Sequence, residues 1–113
     1  MFGFQDLDVY RWAIRFLQLA SSLSDQAVNG QHEVFDQLQR AALAIPVNIA
    51  KGTDKGPLGD RGARQYFRTA RRSAVECAAI VDALEAINAI SPEDLTMARD
   101  MLDRTVSNLG RLA

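Results

Sequence analysis

The apolar residues of this chain recur at intervals of three and four along four stretches, which is the spacing of one face of an α-helix. No stretch of any length alternates as a β-strand would. The predicted helices run from about Asp6 to Asp25, from Glu33 to Lys51 and from Asp60 to Ile90, and the last begins at Ser91. This order favours an all-α, up-down-up-down four-helix bundle, formed by residues 1–113 as a single domain.

The second predicted helix contains a proline. Its apolar stripe is spaced 3, 4, 3 and 4, through Phe35, Leu38, Ala42, Ile45 and Ile49. Pro46 lies inside this stripe and cannot donate to the carbonyl of Ala42, which costs roughly 3 kcal/mol in an ordinary helix. We expect the helix to continue through Pro46 with a kink, Asn48 to help satisfy the freed carbonyl, and Gly52 to end the helix as a cap.

Two of the predicted helices carry more apolar surface than one small bundle can cover. In the first helix the polar residues form one narrow stripe, although a surface helix needs an apolar arc of only about 100°. The third helix is long, and a second apolar stripe flanks its seam. The seam consists of Ala63, Phe67, Ala70, Ala74, Cys77, Val81 and Leu84, and the second stripe of Tyr66, Ser73, Ile80 and Ile87. This excess predicts a homo-oligomer.

The composition fits a soluble globular protein. The chain has 113 residues, of which 48% are apolar and 24% charged, enough for one hydrophobic core. No apolar run approaches the roughly 20 residues of a membrane span, and the first residues do not form a secretory signal. The single cysteine, Cys77, excludes an internal disulfide and is expected in the core. We therefore expect a bacterial-type cytoplasmic protein without membrane contact.

Residues suited to catalysis or metal binding are sparse. The one histidine, His32, falls in a turn and belongs to neither a Glu-x-x-His nor a His-Glu-x-x-His motif. The glycines Gly52, Gly56 and Gly59 follow a helix and lack the Gly-Lys-Ser/Thr ending of a phosphate-binding loop. We expect no enzyme activity, no cofactor and no metal, with His32 as an exposed turn residue.

Charge is distributed unevenly. Residues 51–72 contain seven bases and two acids and so carry +5, while the net charge of the chain is −1. The bases are Lys51, Lys55, Arg61, Arg64, Arg68, Arg71 and Arg72, and the five arginines are spaced 3, 4, 3 and 1 on one helical face. Guanidinium groups in a row suit phosphate oxygens, which predicts a nucleic-acid-binding face. The alternative is a solvated face whose arginines pair with acids of a neighbouring chain, such as Asp82, Glu85 or Asp103.

A structural polar network is also predicted between the second and third helices. If these helices form an antiparallel hairpin, Arg40 faces the turn that holds Ser73 and Glu76. We expect Arg40 and Glu76 to form a buried ion pair beside Asn48. Such networks set the register of a fold more often than they stabilise it.

Three segments together resemble one known family. They are Gln37-x-x-Arg40-Ala41-Ala42-x-x-Ile45-Pro46-x-Asn48-Ile49-Ala50-x-Gly52, Phe4-x-Asp6-Leu7-x-Val9-Tyr10-x-x-Ala13 and Phe67-x-x-Ala70-x-x-Ser73-Ala74-x-Glu76. They resemble the signature of small four-helix-bundle proteins associated with intervening sequences of 23S ribosomal RNA. The chain departs from that pattern at Lys51, where the family usually carries Glu, and its loop from Thr53 to Gly62 looks long.

The resemblance implies a four-helix bundle and a homopentamer, and it assigns no settled biochemical role. A related bundle serves as an accessory factor to reverse transcriptases in diversity-generating retroelements. Together with the arginine row, this favours a non-catalytic oligomeric module that contacts nucleic acid, RNA above all. The competing hypothesis is a structural scaffold that binds a protein partner and no nucleic acid.

Overall fold

The computed structural model describes residues 3–113, which form four helices and no strand. A 3-10 turn at Phe4–Asp6 leads into α1 (Asp8–Ser24), followed by α2 (His32–Lys55), α3 (Arg61–Ala86) and α4 (Pro92–Leu112). Each helix packs against two others, so that α1 lies diagonal to α3 and α2 lies diagonal to α4. The result is a rod of 44 × 21 × 19 Å with the up-down-up-down order expected from the sequence.

The predicted apolar seams form the core. Every residue of the α2 stripe and of the α3 seam is buried, and most are completely inaccessible to solvent. On α4 the buried residues are Ala98, Leu102, Thr105 and Leu109, and Leu95 and Leu112 at the two ends of the helix are half-buried. The second stripe of α3 is only partly covered, because Ile80 is buried and Ile87 is exposed. Periodicity alone therefore located the core.

Helix α2 runs without interruption through Pro46, as predicted, and Pro46 itself is buried. Asn48, however, does not reach the carbonyl of Ala42. Its side-chain amide donates a hydrogen bond of 2.8 Å to the carbonyl of Ala44, four residues back. The side chain of Asn48 thus bonds to its own helix one turn away, which is the local backbone bonding that Asn side chains often make.

Gly52 does not end α2, contrary to the sequence-based prediction. The helix continues to Lys55, and Gly56 follows it, so the connection to α3 is shorter than predicted. Gly52 is buried against α3, where a Cβ atom would lie 2.9 Å from Cε1 of Phe67 and 3.1 Å from the carbonyl oxygen of Ala63. The glycine therefore lets two helices approach closely, and its position inside the helix explains why the cap interpretation was wrong.

The two ends of the α3–α4 connection are set by short hydrogen-bonded motifs. Asn88 has a φ of +56°, Ala89 donates to the carbonyl of Leu84, and Asn88 donates to that of Glu85. These are the bonds of a Schellman motif, which ends α3 before the predicted Ile90. Helix α4 begins as predicted, with the Ser91 side chain accepting a hydrogen bond from the backbone N–H of Asp94.

Across the described residues, 3–113, the four helices include none with the length and hydropathy that a membrane span requires.

Candidate nucleic-acid interface

The arginine row forms one solvent-facing surface on the first half of α3. Asp60 caps this helix by accepting a 3.0 Å hydrogen bond from the N–H of Ala63, which fixes where the row begins. Helical spacing then places the arginines away from the buried seam. We call this surface the arginine face, and it consists of Arg61, Arg64, Arg68, Arg71 and Arg72. Four of the five side chains are exposed, and Arg64 is half-buried.

The arginine face is rich in unused hydrogen-bond donors. None of its five residues forms an ion pair within the described chain. Arg68 makes one long contact of 3.5 Å to the side-chain oxygen of Gln65. The Nε atom of Arg64 is buried without a hydrogen-bond partner among residues 3–113. The exposed guanidinium groups, which are not paired within the chain, remain available to oxyanions from outside it, whereas the buried Nε of Arg64 does not.

A groove crosses the arginine face where α3 meets the end of α4. It has a volume of about 440 Å³ and is lined by Arg68, Arg71, Arg72, Gly110 and Ala113. Gly110 faces open space, because a Cβ atom at this position would meet nothing within 4 Å. Sequence analysis found the three arginines and missed the two small residues of α4, since no pattern in the sequence shows where the end of α4 lies against α3.

The two lysines of the basic segment are separated by the fold. Lys55 lies against the first turn of α3, where the arginine face begins. A Cβ atom built on Gly62 in that turn would lie 2.7 Å from Cε of Lys55. Lys51 instead lines an apolar groove between α1 and α2, together with Pro46 and Val47. Since α1 is diagonal to α3, that groove lies on a different side of the bundle. Six of the seven predicted bases therefore belong together, and Lys51 does not.

The predicted Arg40–Glu76 ion pair is wrong for the single chain. Both side chains are exposed, and neither forms an ion pair within residues 3–113. Asn48 bonds only to a backbone carbonyl, and Ser73 is half-buried without a bond to the other three. The cause is rotation about the helix axis: Arg40 follows the buried Leu38 by about 200°, which turns it away from α3.

Two of the acids that the scaffold hypothesis assigns to a neighbour are occupied within the chain. Nη2 of Arg99 on α4 lies 2.9 Å from Oδ1 of Asp82 and 2.9 Å from Oε1 of Glu85, both on α3. The hydrogen bond to Glu85 and, to a smaller extent, the hydrogen bond to Asp82 raise the pKa of Arg99 above its ordinary value. Asp103 is exposed and forms no ion pair with the described residues. Sequence analysis did not identify Arg99 as their partner.

The chemically reactive groups are either buried or isolated. Cys77 is completely buried, as predicted, and desolvation, with a smaller contribution from the charge of Glu76, raises its pKa to about 12. His32 is exposed at the start of α2. In the part of the chain that the structure describes, no three His, Cys, Asp or Glu side chains cluster closely enough to hold a metal ion.

One protein-family model matches almost the whole chain. Its description is 23S rRNA-intervening sequence protein, and the match covers residues 5–111. The chain belongs to this family. The match includes α1, α2, α3 with its entire arginine face, and all of α4 except its last residue. No curated protein matches the sequence.

Proposed function

We propose that this 23S rRNA-intervening sequence protein is a non-catalytic, oligomeric module that contacts nucleic acid through its arginine face. The observation that carries the proposal is the row of five arginines on one side of α3, none of them in an ion pair within the described chain. Phosphate oxygens of a nucleic-acid backbone are spaced regularly, and bidentate guanidinium groups bind them strongly.

The dipoles of two helices contribute to the electrostatics of this surface. The N-terminus of α3 carries a partial positive charge at Arg61, but the capping carboxylate of Asp60 offsets it. The C-terminus of α4, with its partial negative charge, lies at the groove of Arg68, Arg71 and Arg72. The attraction for phosphate therefore comes from the arginine side chains and not from the helix dipoles.

The alternative, a scaffold whose arginines pair with acids of an adjacent copy, has fewer available partners than the sequence indicated. Asp82 and Glu85 are already bonded to Arg99 at 2.9 Å. Arg99 already neutralises part of the charge of these two carboxylates, which weakens their attraction for an arginine of a neighbouring copy. This observation favours an external polyanion over a neighbouring chain.

The oligomeric part of the proposal rests on apolar surface that the single chain leaves uncovered. Tyr10, Ile14 and Leu17 of α1 are only half-buried, and Leu43 and Val47 of α2 are 52% and 41% exposed. Contiguous apolar patches on small soluble proteins mark interfaces. We propose a cytoplasmic homo-oligomer, for which the pentamer implied by the resemblance is the expected size. Several arginine faces would then act together on one polyanion.

The test is a titration of the full-length protein with fluorescent RNA, both duplex and single-stranded, over a series of KCl concentrations. RNA is the first polyanion to test because the family is described by an intervening sequence of ribosomal RNA. Arg61, Arg68 and Arg72 are all exposed and can be replaced together by Gln without disturbing the core. We expect weaker binding to all sequences, and a salt slope flatter by roughly one unit for each phosphate that the variant no longer binds.

A matched control removes the same charge elsewhere. Arg11, Arg104 and Arg111 are exposed on α1 and α4, and their combined replacement by Gln should leave most of the binding intact. Absence of binding by the parent protein at low salt would overturn the proposal in favour of the scaffold. Equal losses in the two triple variants would also overturn it, because binding would then follow net charge and not the arginine face.

A further inference from the structure

The groove at the end of the arginine face differs from the rest of that face, because three arginines converge on it. Arg68, Arg71 and Arg72 form its α3 wall, and Gly110 and Ala113 form its α4 wall. Arg71 and Arg72 follow Arg68 by three and four residues, so the three side chains are neighbours on the helix surface. The arginine face is therefore a row that ends in a cluster, which we call the arginine groove.

The charge of the arginine groove matches a phosphate at the end of a strand better than one within it. A phosphate that links two nucleosides carries one negative charge and has two free oxygens. A terminal phosphomonoester carries about −1.5 to −2 at pH 7 and has three free oxygens. Guanidinium groups bind phosphate oxygens through pairs of N–H donors, so three of them suit three oxygens.

No carboxylate within residues 3–113 forms an ion pair with the three arginines of this groove. Glu76 follows Arg72 by four residues, and Asp103 precedes Gly110 by seven, and both are exposed. The carboxylate of Ala113, the last residue of the sequence, lies at the α4 wall and is not ion-paired either. The guanidinium groups therefore keep their donors for an anion that enters the groove.

The shape of the groove leaves room for a sugar beside the phosphate. Its volume is about 440 Å³, and Gly110 contributes no side chain to it. The last turn of α4 carries a partial negative charge, and its backbone oxygens accept hydrogen bonds and repel anions. A phosphate group is thus directed to the α3 wall, and the hydroxyl of its ribose, which can donate a hydrogen bond, faces the α4 wall.

The position of the groove also favours a strand end over a free phosphate ion. From Arg72 back to Arg61 the arginine face extends over eleven residues of α3, or roughly 16 Å. A strand whose terminal phosphate occupies the groove can continue along the row, where its next phosphates meet Arg64 and Arg61. Contacts made together by one ligand strengthen one another, and a free ion makes only the first of them.

We propose that the arginine groove binds the terminal phosphomonoester of an RNA strand, while the rest of the arginine face holds the adjoining backbone. This inference rests on the proposed function, because it assigns a part of the arginine face to one kind of RNA end. It predicts that the protein distinguishes phosphorylated RNA ends from hydroxyl ends, which contacts to the backbone alone cannot do.

The experiment compares four forms of one short, fluorescent, single-stranded RNA by titration at constant salt. One form has hydroxyl groups at both ends, one has a 5′-phosphate and one has a 3′-phosphate. The fourth has hydroxyl ends and one additional nucleotide, so it has as many phosphates as the phosphorylated forms. We expect at least one phosphorylated form to bind about tenfold more tightly than both hydroxyl forms. The comparison between 5′ and 3′ shows which end the groove accepts.

Two variants of the full chain alter the groove by different means. Arg71→Gln with Arg72→Gln removes two guanidinium groups, and Gly110→Leu fills the groove without a change in charge. All three positions are exposed, and a Cβ atom at Gly110 meets nothing within 4 Å, so the bundle should fold. The matched control is Lys55→Gln with Arg61→Gln, which removes two exposed charges at the other end of the arginine face. Circular dichroism verifies folding.

We expect both groove variants to lose the preference for a phosphorylated end, and Gly110→Leu to bind the hydroxyl forms as the parent does. The control should bind all forms more weakly and keep the preference. If the parent binds none of the four RNAs at low salt, both this inference and the proposed function are overturned. Equal binding of all four forms by the parent, a preference that either groove variant retains, or a preference that the control also loses, overturns the terminal-phosphate site alone.

Discussion

Gly52 offers the sharpest test of how α2 and α3 pack. In Gly52→Ala the new Cβ would lie 2.9 Å from Cε1 and 3.0 Å from Cζ of Phe67, and 3.1 Å from the carbonyl oxygen of Ala63. Carbon atoms prefer separations of at least about 3.5 Å, so the ring would have to retreat by roughly 0.6 Å. Phe67 is completely buried, and the oxygen belongs to the backbone of α3, so neither can move freely.

The size of the effect follows from two opposing contributions. Alanine is favoured over glycine inside a helix by about 1 kcal/mol. Overpacking a close-packed core costs about 1–3 kcal/mol. We therefore expect Gly52→Ala to lower the free energy of unfolding by about 1 kcal/mol in spite of its better helix propensity. Gly110→Ala is the matched control, because a Cβ there meets nothing within 4 Å and the substitution should stabilise the protein by about 0.5–1 kcal/mol.

Urea unfolding followed by circular dichroism measures both changes. All variants are compared at one protein concentration, because self-association would make the apparent stability depend on it. The same substitution should thus have opposite signs at the two glycines. Combining Gly52→Ala with Phe67→Leu should cost less than the sum of the two single changes, since a smaller side chain removes the clash. A Gly52→Ala protein as stable as Gly110→Ala would refute the close approach of α2 and α3.

Cys77 should resist thiol reagents in the folded protein and react once urea unfolds it, because the thiol is completely buried with a pKa near 12. Because the pKa of the thiol is higher in the folded protein than the value near 9 of the unfolded chain, its contribution to stability is complete below pH 9 and is lost as the pH rises. Between about pH 9 and pH 12 the free energy of unfolding of the parent should therefore fall faster than that of Cys77→Ala, by at most about 1.4 kcal/mol per pH unit. Urea unfolding at a series of pH values measures this difference. At Asn88, where φ is +56°, replacement by Val should cost about 1–2 kcal/mol and replacement by Gly far less, which thermal unfolding will compare.

Periodicity predicted the core because burial of one face is what makes these helices stable. The stripe through Phe35 and Ile49 and the seam through Ala63 and Leu84 are buried as expected. The ends of the helices were harder to predict than the core, because they depend on contacts between residues that are distant in sequence. Gly52 looks like a cap when α2 is considered alone, and only the neighbouring Phe67 shows that its role is close packing.

The candidate site could likewise be predicted only in part. The arginine row was visible because all five residues lie on one helix, and a helical repeat fixes which of them share a face. The groove that crosses the arginine face could not be predicted from the sequence, because Gly110 and Ala113 come from another part of the chain. The Arg40–Glu76 prediction is wrong because two helices can pack against each other while some of their side chains point away from the contact. A residue about 200° from the seam cannot reach the adjacent helix of the same bundle.

The surroundings of Arg40 and Glu76 differ from those of the charged residues that do form ion pairs. Three side chains of α3 and α4, Asp82, Glu85 and Arg99, satisfy one another at 2.9 Å. Arg40 and Glu76 face solvent beside apolar residues that the single chain also leaves exposed. Charge next to an uncovered apolar surface is the composition of an interface rim, where ion pairs select the partner and its orientation more than they add affinity. Arg40 and Glu76 therefore add no ion pair to the stability of the single chain.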